Sequence, residues 1–154
     1  MNKVKYIFPF LIVLIFGLTP LVWFIGKEGI LINGVDTNFP LDPWVWFQRR
    51  LFVWNSVTSA GANFSSSTAG LFFHFIQVIP YSLGLSLQQT QIISFVFWFM
   101  LITTFSYILA RLIVPGKILI QLLFVCLYSF NIYLFNSWEN VKVSNLSLTA
   151  AIPL

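Results

Sequence analysis

Residues 51–110 contain no Lys, Arg, Asp or Glu. In a soluble domain about a quarter of the residues are charged, so a stretch this long without one cannot supply the usual ionised outer face. The remainder of the chain follows the same pattern. Charged residues make up 8% of the 154 and apolar residues 58%, with a mean hydropathy of +0.89. This composition lies outside the soluble globular range and predicts an all-α integral membrane protein. Eighteen Phe, six Trp and five Tyr suit a chain that meets lipid tails and headgroups. The eight basic residues are scattered and never form a run, which argues against a nucleic-acid partner.

Hydrophobic length sets the expected architecture: a polytopic membrane protein of about three transmembrane helices, at 6–25, 91–110 and 118–135, with an exterior loop at 26–90. Residues 6–25 carry no charge and, as a helix, reach roughly 30 Å, enough to span. They exceed the apolar core of a signal peptide, and Gly26-Lys27-Glu28-Gly29 has no small-x-small cleavage pattern, so an uncleaved anchor is expected. Pro9 is placed in its first turn, and Pro20 at a kink near its outer end. Residues 118–135 are interrupted only by Gln121, Ser129 and Asn131, of which Asn131 reads as interhelical glue.

Two further helices are expected within the exterior loop, both interfacial or re-entrant. Asp42-Pro43 has the form of a helix start, with Asp42 as N-cap and Pro43 at the first helical position. Trp44, Phe47, Leu51 and Trp54 then recur at helical spacing over roughly three turns, and Arg49 and Arg50 extend toward lipid phosphates. Residues 71–87 are short for a span and include His74, Gln77, Pro80 and Gly84. If they do not cross, Arg111 and Lys117 join Lys3 and Lys5 on the cytoplasmic side, as the positive-inside rule prefers.

Carboxylates are scarce: Glu28, Asp36, Asp42 and Glu139 are the whole set. Two of them stand in Asp36-Thr37-Asn38-Phe39-Pro40-Leu41-Asp42-Pro43, beside the first hydrophobic segment. His74 has no Cys, Asp or Glu close by in sequence and reads as a helix-face histidine, and Cys126 is the single cysteine, so neither an intrachain disulfide nor a cysteine metal site is expected. Residues 147–154 read as the start of another hydrophobic helix. The chain is therefore expected to be the N-terminal piece of a longer membrane protein, inactive in isolation.

That acidic loop, followed by Phe47-Gln48-Arg49-Arg50-Leu51-Phe52-Val53-Trp54-Asn55 and later by Tyr128-Ser129-Phe130-Asn131 and Ala150-Ala151-Ile152-Pro153-Leu154, resembles the C-type superfamily of membrane glycosyltransferases. The likeness is to large bacterial and archaeal members related to arabinofuranosyl- and mannosyltransferases. The resemblance implies transfer of a sugar from a polyprenyl-phosphate donor to an envelope glycan or lipid acceptor, in a prokaryotic plasma membrane with the N-terminus cytoplasmic and the first loop outside. By position Asp36 matches the family's active-site acid, a general base for the acceptor hydroxyl. Its proton affinity is expected to be raised beside a low-dielectric phase. Asn38, Arg49 and Arg50 are the implied substrate-binding residues, the arginines through forked contacts to phosphate.

Many members carry two adjacent acids in this loop, whereas Asp36 is followed by Thr37. No metal ligand is assigned, and a divalent metal is the one cofactor the resemblance leaves open. The partners expected are membrane lipids, the polyprenyl-phosphate sugar and the acceptor. The alternative is a non-catalytic multi-span protein, either a transporter segment or an assembly subunit of an envelope complex. A transporter usually shows ionisable residues within its spans, and an assembly subunit small-xxx-small faces.

Overall fold

The computed structural model describes residues 4–33, 39–55, 62–63, 70–131 and 143–153. The architecture is all-α, as expected. Its helices are α1 (Val4–Gly17), a 3-10 helix (Thr19–Phe24), α2 (Pro43–Arg50), α3 (Leu71–Ser82), α4 (Leu87–Ile113), α5 (Ile118–Ser129) and α6 (Val143–Ala151). One two-residue antiparallel pair, β1 (Trp54–Asn55) with β2 (Ala62–Asn63), interrupts this pattern.

α4 is the centre of the molecule, packed by α1, the 3-10 helix, α3, α5 and α6. It forms where the sequence places its cleanest apolar run, and local chemistry extends it at both ends. At the start, Ser86 Oγ accepts from Gln89 N at 3.3 Å while Gln89 Oε1 accepts from Ser86 N at 2.9 Å, a reciprocal capping box. At the other end the chain turns through Pro115 and Gly116, the latter at φ +79°. The resulting 27 residues make about 40 Å of helix, and α4 is the one helix among the described residues long and apolar enough to cross a membrane.

Phe95, Trp98, Phe99 and Ile102 of α4 form the core with Phe24, Leu146 and Ala150. Trp23 meets Phe95 and Phe99 edge-on, with centroids 5.8 and 5.4 Å apart. α1 approaches α4 closely at Gly17, where an added Cβ would collide with the Met100 side chain and lie 3.1 Å from its Cα. Three buried hydroxyls of α4 bond their own helix, Ser94 Oγ donating to Thr90 O, Thr103 Oγ1 to Phe99 O and Ser106 Oγ to Thr103 O.

Several sequence expectations change. The helix expected through 6–25 stops being α-helical at Gly17. Leu18 N donates to both Leu14 O and Ile15 O, Thr19 Oγ1 donates to Phe16 O at 2.7 Å, and Pro20, lacking an N–H, stands in the first turn of the 3-10 segment. Pro9 is inside α1, beyond its first turn, because the helix already runs from Val4. α2 has eight residues, about two turns, and Trp54 belongs to β1. Its pairing with Asn63 takes the backbone that a third helical turn would have needed.

α3 and α5 each have 12 residues, about 18 Å of helix. Gly84 at φ +84° ends α3, and the amides of Leu83 and Gly84 return to the last-turn carbonyls. α5 ends at Ser129, well short of 135, and Asn131 donates to Tyr128 O at 2.7 Å as a local helix-end bond. The C-terminal helix begins at Val143, before the expected 147, and packs its Leu146 and Ala150 into the core. Tyr128 OH joins α5 to α6 by donating to Thr149 O at 2.8 Å.

Candidate functional site

In the described residues 27–32 of the loop between the 3-10 helix and α2 the backbone pairs with no strand, and two glutamines near the start of α4 supply partners. Gln91 faces the peptide groups of Ile32 with its whole amide: Ile32 N donates to Oε1 at 2.8 Å, and Nε2 donates to Ile32 O at 2.6 Å. Only 1% of this residue is exposed. One turn earlier Gln88 accepts from Gly29 N at 3.0 Å and donates to the carbonyls of Lys27 and Ile30. An amide offers a donor and an acceptor together, as a neighbouring strand would. The loop therefore has a fixed base without belonging to a sheet.

Farther along, Asn33 Oδ1 accepts from Phe39 N at 3.0 Å, so residues 33 and 39 are joined across the acidic segment. Asp36 and Asn38, the expected base and one expected substrate-binding residue, lie outside the described residues. Phe39 and Pro40 are buried, and Asp42 then caps α2 by accepting from Val45 N at 3.0 Å, with Pro43 in the first turn. Asp42 is thus committed to structure, as its sequence context indicated.

α2 carries Arg49 and Arg50 in its last turn, where cations favour the negative end of the helix dipole. Arg49 is exposed. Arg50 is half-buried with its guanidinium 5.1 Å from the Trp46 ring centroid. Partial burial lowers its proton affinity below the ordinary arginine value, although a guanidinium remains charged at neutral pH. The two arginines of the sequence motif consequently have different settings, one free to reach out and one stacked.

α2 packs on α3, with Phe47 and Phe75 centroids 6.1 Å apart, and this contact places Arg50 within electrostatic range of His74. His74 Nδ1 is 3.1 Å from Gln77 Oε1, an acceptor, so the ring donates from Nδ1. Burial pulls the imidazole below its ordinary 6.5; the Gln77 bond opposes that shift and the Arg50 charge adds to it. The aromatic contact thus packs the arginine helix on α3, while His74 bonds Gln77 within its own helix and feels the Arg50 charge.

Sequence reasoning singled out the arginines but missed the glutamine clamp, the Asn33 bond and the approach of Arg50 to His74. A usable signal existed in Gln88-Gln89-Thr90-Gln91 at the head of an otherwise apolar helix. No three residues among His, Cys, Asp and Glu come together as a metal-binding group among the described residues. The chain matches no family model, no curated protein and no solved structure.

Proposed function

We propose that this chain is a polytopic membrane protein that contributes the acidic exterior loop of a glycosyltransferase using polyprenyl-phosphate sugars at the outer face of a prokaryotic plasma membrane. The observation that carries the reading is the double anchoring of the loop. Gln88 and Gln91 hold its first half, the Asn33 bond to Phe39 N joins both sides of Asp36, and the Asp42 cap leads directly into the arginine-bearing α2. A loop fixed on both sides can present a carboxylate reproducibly at a membrane exit, and general-base catalysis requires such positioning.

In this reading Asp36 takes the proton from the acceptor hydroxyl as that oxygen bonds to the anomeric carbon. The bond from that carbon to the donor's phosphate oxygen breaks, and its electron pair leaves with the polyprenyl phosphate. Arg49 and Arg50 bind the phosphate charge that grows at departure, and Asn38 hydrogen-bonds the sugar. The proposed topology takes α4 as a span with α1, its 3-10 extension and α5 as companions, and lays α2 and α3 along the interface, where Arg49 and Arg50 would meet lipid phosphate. No step is routed through a metal.

A transporter or assembly subunit is the competing reading. A transport path needs polar side chains that face one another, whereas the α4 hydroxyls of Ser94, Thr103 and Ser106 bond their own backbone.

The deciding experiment offers polyprenyl-phosphate arabinose and polyprenyl-phosphate mannose in turn to membranes containing the protein in its native context. Asp36→Asn should lower sugar transfer by about 10²–10⁴-fold at unchanged protein level. Transfer at the wild-type rate would remove the base role. Arg50→Ala should chiefly raise the donor KM, and a KM equal to wild type would dismiss the phosphate contact.

A further inference from the structure

At the opposite end of α4 from the acidic loop, a cleft of about 250 Å³ opens between α1, α4 and α5. It is smaller than the roughly 300–1,000 Å³ pockets that take drug-sized ligands, which suits a headgroup. We infer that this cleft binds a phosphate group, carried by an anionic lipid. The inference rests on the membrane reading above but involves none of the residues assigned to sugar transfer.

The lining contains donors and one cation, and no carboxylate among the described residues. Arg111 lies on the wall with its guanidinium 5.9 Å from the Tyr107 ring centroid, an arrangement that steadies a side chain otherwise exposed. Its forked donors match a phosphate's oxygens. Gln121, 4% exposed, donates its amide to Val114 O at 2.7 Å and so holds the turn that forms the cleft floor. Gly116, at φ +79°, has open space where a side chain would start, so a ligand can approach its backbone.

Electrostatics favour the same ligand. No Asp or Glu occurs in residues 43–138, and Lys117 adds a second cation beside Gly116. Glu28 stands next to Gly29 and Lys27, which Gln88 holds. From Gln88 to Arg111 the helix rises about 34 Å, several Debye lengths in physiological salt. The acidic loop therefore does little to offset the positive charge at this end. α5 also begins here without a side-chain cap, leaving first-turn amides beside Arg111.

The test is native mass spectrometry of the detergent-purified protein, equilibrated with phosphatidylglycerol, with phosphatidylcholine or with inorganic phosphate. Wild type should retain one phosphatidylglycerol that phosphatidylcholine does not replace, and Arg111→Gln should weaken retention by at least about tenfold. Tyr107→Leu should weaken it too, while Lys27→Gln, an exposed cation at the far end of α4, should leave it unchanged. Displacement by inorganic phosphate at millimolar concentration would assign the site to free phosphate; resistance to it would assign a lipid headgroup. Equal retention by Arg111→Gln and wild type, with matching circular dichroism, would overturn the inference. Alkaline carbonate extraction of the membranes tests the membrane reading separately, because a protein released by carbonate would fail that reading whatever the cleft binds.

Discussion

The two ends of α4 use the same side chain for unlike tasks. At the first, Gln91 and Gln88 reach segments 58 to 61 positions earlier in the chain and give an irregular loop the partners it lacks. At the second, Gln121 reaches Val114 seven positions back and closes a local turn. The first arrangement joins separate parts of the fold; the second tidies a helix connection. A buried amide is thus a tertiary device or a local one according to which backbone is left unpaired nearby.

Gln91→Leu should show that difference most strongly. It removes both bonds that Gln91 makes to the N–H and C=O of Ile32, a loss of about 2–4 kcal/mol in thermal unfolding of the purified protein. Hydrogen exchange at Ile32 should quicken in parallel. A loss below about 1 kcal/mol would mean that the loop keeps its place by other contacts, and the contrast between the two ends would collapse.

Gln121→Leu should cost about 1 kcal/mol, because one bond is lost and the carbonyl it leaves belongs to an exposed-edge turn. An equal or larger cost than that of Gln91→Leu would reverse the assignment of tertiary and local roles.

The smallest effect sharpens the comparison at the arginine helix. His74 titrates below 6.5 mainly because it is buried, so the unfolded chain takes up its proton first as pH falls. The stability this group contributes is therefore present above pH 6.5 and lost as pH falls through the lower folded-state value. The unfolding midpoint should drop between pH 7 and pH 5 in wild type, and the drop should shrink in His74→Gln. An unchanged pH profile in the variant would show that other groups cause it.

Where the controlling interactions are local, the sequence was legible. Asp42-Pro43 announced a capped helix because an N-cap acts within three residues, and Asp42 does accept from Val45 N. The apolar run of 91–110 announced α4, though not its extra residues, since Ser86 and Gln89 form their box only when the helix actually starts there. The expected helix over 6–25 continues to Phe24 but changes type past Gly17, because hydropathy is blind to backbone type: Thr19 and Pro20 favour a tighter 3-10 turn in equally apolar sequence. Arg49 and Arg50 were found by charge. His74 was dismissed for want of neighbours in sequence, yet its relevant neighbour Arg50 arrives through helix packing.

By itself the sequence determined the helical class, the scarcity and location of its carboxylates, and where one long apolar helix must lie, because burial of apolar surface and capping follow from composition and short-range spacing. Only the tertiary structure decided that α4 is central, that α1 meets it at Gly17, and that glutamines at its head hold the acidic loop. The hydrophobic effect is non-directional and does not choose partners. Hydrogen bonds and close packing do, and here they join residues far apart in the chain.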